Sequence, residues 1–119
     1  MFINCSNHAS EYWHDAQREA AAVWGEVVDY PFPAVPPDAD EKTVAAMAAA
    51  AADEIAAMKP EAVMCQGEFT LSFALINALK SKEIPVMAAC SERRTTEAYQ
   101  ADGSVKKTSE FCFVRFRKY

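Results

Sequence analysis

Three short polar segments hold most of the side chains suited to chemistry, and each follows an apolar run. Ser6-Asn7-His8 follows Phe2–Cys5, Gln66-Gly67-Glu68-Phe69-Thr70 follows Ala62–Cys65, and Ser91-Glu92-Arg93-Arg94 follows Ile84–Cys90. An imidazole exchanges protons near neutrality, so His8 is the candidate for acid or base work. The Asn7-His8 pair before a helix equally suits local hydrogen bonding. Arginine grips phosphate with two parallel donors and stacks on bases, so Arg93 and Arg94 suit a phosphate ligand. A salt bridge from Glu92 fixing the segment is the other reading.

The middle segment reads as a strand, a tight turn at Gly67 and the first turn of a helix. Such a junction leaves unpaired N–H groups at the helix start, which favour a bound anion. The Gln66 amide and the Thr70 hydroxyl would complete that site, while Glu68 either caps the helix or joins the chemistry. The segment has neither the G-x-x-x-x-G-K-[ST] nor the G-x-G-x-x-G pattern, which disfavours nucleoside triphosphate hydrolysis and dinucleotide binding. No Ser-His-Asp order and no paired-carboxylate spacing stands out. Cys5, Cys65, Cys90 and Cys112 show no C-x-x-C spacing, so they read as buried, reduced thiols rather than a zinc site.

The elements that must position these segments follow in order. Met1–Cys5 reads as a strand, and Ser10 as the N-cap of a helix with Trp13, Ala16, Ala20, Val23 and Trp24 on its apolar face. On that helix His14 is expected to face solvent. Gly25 stops the helix, Glu26–Tyr30 is a second strand, and Pro31–Pro37 is a stiff connection. Asp38 or Asp40 caps a second helix carrying Val44, Met47, Ala48, Ala51, Ile55 and Met58, which ends before Pro60. The third helix, through Leu71, Leu75 and Leu79, is apolar nearly all round because of Phe69, Phe73 and Ile76, as if covered on two sides. Asp102-Gly103 marks a hairpin turn between Thr95–Gln100 and Val105–Tyr119.

The pattern predicts one α/β domain over residues 1–119, a compact Rossmann-like βαβαβαβ unit with a mostly parallel sheet and a C-terminal β-hairpin. In such a sheet the three polar segments would be loops sharing the carboxyl edge, where ligands bind. The net charge of −5 argues against duplex DNA. It is unevenly spread: residues 91–119 carry seven basic and four acidic side chains, against five and thirteen in residues 1–90. No apolar run has the length of a membrane span, and no basic leader precedes the first strand, so a cytoplasmic protein without an anchor is expected.

The strand ending in Ser-Asn-His, the Gln66-Gly67-Glu68-Phe69-Thr70 turn and Ala89-Cys90-Ser91-Glu92-Arg93 together resemble the small stand-alone CRISPR-associated proteins related to CARF domains, several of them thought to be ring nucleases. The resemblance covers nearly the whole chain through short motifs. It implies a homodimer that binds a cyclic oligoadenylate, cyclic tetra-adenylate foremost, and opens it without metal or cofactor by attack of a ribose 2′-OH on the adjacent phosphate. Under it His8, Ser6 and Arg93 would serve the reacting phosphate. Asn7, Ser10, Gln66, Gly67, Glu68, Phe69, Thr70, Ser91, Glu92 and Arg94 would hold the ligand. No residue is forced by the family pattern to be the catalyst, so a sensor or sequestering module that binds without cleaving is the alternative.

Overall fold

Phe2, Ile3, Asn4 and Cys5 are all buried, so the first strand is covered on both faces and must lie inside a sheet rather than at its edge. In the computed structural model, which describes all 119 residues, β1 is Phe2–Ser6, α1 Asp15–Ala22, β2 Val27–Asp29, α2 Glu41–Ala57, β3 Ala62–Gln66, α3 Phe69–Ser81, β4 Val86–Tyr99 and β5 Val105–Lys118. The sheet order is β2-β1-β3-β4-β5. β1 pairs in parallel with β2 and β3, β3 pairs in parallel with β4, and β4 pairs antiparallel with β5. No helix is long and apolar enough to cross a membrane.

The expected Rossmann-like βαβαβαβ domain with a separate terminal hairpin is therefore corrected. The chain forms a mixed sheet of five strands curled into a half-barrel with three helices. The departure starts where the apolar run ends. β4 does not stop at Cys90 but runs on to Tyr99, 14 residues in all, and every residue from Ser91 to Tyr99 has a partner on β5. An apolar face is needed to bury a strand, but not to pair it; a second strand suffices, and here β5 supplies it. Ser91-Glu92-Arg93-Arg94 is thus strand, with alternate side chains on opposite faces, and not a loop.

Alternation along the inner strands creates two cores. Ile3, Cys5, Val63 and Cys65 face α2 and α3, whose Val44, Ala48, Ala51, Ala52, Ile55, Leu71, Leu75 and Leu79 are buried against them. The abundance of alanine lets α2 lie close. Phe2, Met64 and Met87 face the other way, toward Trp13, Ala21 and Phe116. Asn4, Ser6 and Gln66 share that second face, by the same period of two. Asp40 is the cap of α2, accepting from the Thr43 N–H at 2.8 Å.

α3 is covered on one side only. Phe69 and Phe73 stand out into solvent, 89% and 73% exposed, beside Asp40 and Glu41 at the start of α2. At the turn before α3, a Cβ on Gly67 would lie 2.6 Å from the Phe32 ring, so the missing side chain makes room for the buried Phe32.

The β4–β5 ladder contains one bulge. Cys90 pairs with Arg115 but Ser91 pairs with Phe113, leaving Val114 unpaired. The extra residue resets the alternation, which places Phe113 and Phe116 on the same face with ring centroids 4.8 Å apart. Beyond it the ribbon projects: residues 91–111 are exposed without interruption. The radius of gyration is 17.4 Å, against about 13–14 Å for a compact chain of this length.

Candidate functional site

The site begins with the register of the two central strands. Asn4 lies beside Met64 and Ser6 beside Gln66, and all four side chains point to the α1 face. The chain leaves β1 toward one end of the sheet and β3 toward the other, so the crevice between their carboxyl ends is a topological switch point, the usual ligand position in open α/β sheets.

Asn4 is a polar side chain in an apolar strand, and it is 1% exposed. Its Nδ2 donates to the His8 carbonyl and to Asp29 Oδ1, each at 2.9 Å, and its Oδ1 accepts from the Ser6 hydroxyl at 2.7 Å. The indole N–H of Trp13 also donates to the His8 carbonyl, at 3.3 Å, and the His8 N–H donates to Ser6 Oγ at 3.2 Å. The backbone of the Ser6-Asn7-His8 turn is therefore held from several sides. Its Asn7 and His8 side chains make no hydrogen bond within the chain, and His8 meets Tyr12 edge to face.

β3 and β4 part after Met64 and Met87, the last of their paired residues. Two side chains take over from the ladder. Gln66 Oε1 accepts from the Ala89 N–H at 2.7 Å, and the Tyr119 hydroxyl donates to the Cys65 carbonyl at 2.8 Å. Burial raises the Tyr119 hydroxyl above its ordinary value, keeping it a donor. Gln66 also lines the opening beyond the ladder.

That opening is a cavity of about 470 Å³. Its polar wall is Ser6, Asn7, His8, His14, Gln17, Gln66 and Ser91; its apolar wall is Tyr12, Trp13, Met64, Ala89, Phe111 and Phe113. No Asp or Glu lines it, although the chain has 17 of them. Aromatic planes beside free N–H and O–H groups, with no carboxylate, suit an anionic ligand that carries a ring.

Of the residues expected at the site, Ser6, Asn7, His8, Gln66 and Ser91 come together in this cavity. Arg93 lies next to it, its guanidinium 5.4 Å from the centroid of Phe111. The remainder are elsewhere. Glu92 and Arg94 occupy the opposite face of the ribbon and pair with each other at 2.7 Å, the hydrogen bond that Arg94 donates to Glu92 raising the arginine further. Ser10 does not cap α1; it starts a 3-10 turn, Ser10–Tyr12, and its N–H donates to Asp29. Gly67 accommodates Phe32 and Phe69 faces solvent.

The start of α3 is already occupied by the chain's own carboxylate. Glu68 accepts from the Thr70 and Leu71 N–H groups at 3.0 and 2.8 Å and from the Thr70 hydroxyl. The Thr70 hydroxyl bond, followed by those from Leu71 and Thr70 N–H, lowers the Glu68 carboxyl below its usual value. An anion would have to displace it.

Asn4, Asp29, Tyr12, His14, Phe111 and Phe113 belong to the site without having been singled out in sequence. A buried-looking asparagine inside Phe2–Cys5 was a usable signal; the contribution of β5 had none, since it depends on the bulge and on pairing. Nowhere are three or more His, Cys, Asp or Glu side chains grouped to hold a metal ion. Cys5 and Cys65 are neighbours across β1 and β3; the hydrogen bond between their thiols, with burial, pushes Cys65 far up, away from thiolate chemistry.

No curated protein and no solved structure matches the chain. A family profile does match it, over residues 1–117, nearly its full length, and the chain belongs to the family described as Uncharacterized protein MJ1673.

Proposed function

We propose that the protein binds a cyclic oligoadenylate in the cavity at the carboxyl ends of β1 and β3 and opens the ring without metal. The observation that carries this reading is the composition of the cavity wall: two histidines, amides and hydroxyls beside aromatic planes, free of carboxylates in an acidic chain. The rings of Phe111 and Phe113 offer stacking surfaces for bases. His8 would exchange the proton of the ribose 2′-OH, and Arg93, reaching past Phe111, would offset charge on the phosphate. The Ser6 hydroxyl, which donates to Asn4, orders the turn instead of attacking.

The cavity volume lies in the range of small-molecule sites, about 300–1,000 Å³, and is too small for a ring of four nucleotides. The proposal therefore requires two copies facing each other, the homodimer that the resemblance implies. Incubation of the protein with cyclic tetra-adenylate in EDTA, followed by chromatography, tests the proposal. A linear product ending in a 2′,3′-cyclic phosphate is expected; an intact ring overturns cleavage. The second reading is a binding module without turnover, favoured by the engagement of Ser6 with Asn4 instead of with a base. Calorimetry showing tight binding of an uncleaved ring would select it.

A further inference from the structure

We infer that His14 joins His8 as an acid–base pair acting on a single phosphodiester, an inference that rests on the cleavage reading above. These are the only two histidines of the chain, and both line the same cavity. The path between them explains the convergence. The turn after β1 and the 3-10 turn Ser10–Tyr12 fold back so that the buried Trp13 reaches the His8 carbonyl, and His14 follows as the N-cap residue of α1. His14 makes no side-chain capping bond, and neither imidazole takes part in a hydrogen bond or an ion pair within the chain. Both are exposed.

On the hairpin, Arg94 and Glu110 line an adjoining hollow together with His14. Arg18 of its own helix is turned away to the Trp13 and Glu11 carbonyls. Opening a ring by transesterification needs two proton transfers. One imidazole accepts the proton of the 2′-OH as the new P–O2′ bond forms. The other, as imidazolium, gives a proton to the O5′ released when the P–O5′ bond breaks. No water is consumed, the product carries a 2′,3′-cyclic phosphate and a 5′-OH, and exchange with solvent restores the starting protonation. A chain with one histidine in the cavity would lack one of the two partners.

The test compares wild type, His8→Asn, His14→Asn and the double variant with cyclic tetra-adenylate in EDTA, beside proton NMR of both imidazoles during addition of adenosine 3′-monophosphate. Each single variant is expected to lose about 100-fold or more in turnover with ring affinity changed less than about threefold, and the double variant to lose little more than either single one. Both imidazole signals of wild type should move together with the nucleotide. Turnover that survives His14→Asn within about threefold, or a His14 signal that stays still, overturns the pair and leaves cleavage by His8 standing. Absence of turnover in wild type overturns both.

Discussion

Asn4 is the side chain on which the geometry of the site turns. A buried amide is tolerated only when its donors and acceptor are matched, and here they are matched by the His8 carbonyl, Asp29 and Ser6. One side chain thereby ties the end of β1 to the end of β2 and to the turn that carries Asn7 and His8. Asn4→Ala removes two donors and the nearer acceptor of the Ser6 hydroxyl, leaving it only the His8 carbonyl at 3.2 Å. We expect a loss of about 1–3 kcal/mol in urea denaturation, with a larger fractional loss of ligand affinity than an exposed substitution such as Thr96→Ala produces. Equal stability of Asn4→Ala and wild type would separate the network from the fold.

Among the helices, α2 and α3 begin in the same way, each with a carboxylate accepting from its first N–H groups. Asp40 is lowered chiefly by the hydrogen bonds with Thr43, and Glu68 by those with Thr70 and Leu71. A carboxyl lowered in the folded state stabilises above its unfolded value and loses that contribution as pH falls through the folded value. The melting temperature should therefore drop on acidification below about pH 4, the ordinary carboxylate range. Glu68→Gln should have a lower melting temperature at pH 7 and a shallower acid limb than wild type. Parallel limbs for the two proteins would show that the cap does not contribute.

For the whole molecule, the main feature is the ribbon formed by the outer part of β4 and β5. Its 21 consecutive residues are all exposed, and a two-stranded ribbon alone is marginal in water. It includes Tyr99, 81% exposed and paired across the ladder with Val105 near the tip. The ribbon leaves from the carboxyl edge, beside the cavity, so two copies meeting at that edge would each lay an arm along the other. On the two-copy reading, sedimentation should give twice the 13.1 kDa of one chain. Replacing residues 95–109 by a short Asn-Gly turn should shift the mass toward one chain while circular dichroism retains the helices. A dimer that survives this replacement would place its interface elsewhere.

Much was readable in the order of residues because its causes are local. The apolar run Ala62–Cys65, the cap at Asp40, the stop at Gly25 and the turn at Asp102-Gly103 are set by side chains within a few positions of one another, and the elements lie close to those signals. The turns after β1 and β3 followed for the same reason. What the tertiary structure alone decided is the extent of β4, the bulge at Val114 and the arrival of Phe111, Phe113 and His14 beside His8. A strand continues as long as a partner offers hydrogen bonds, and that partner lies some 20 residues away with no marker near Cys90. The amino-acid sequence thus fixed which faces exist; pairing between distant strands determined which of them meet around a ligand.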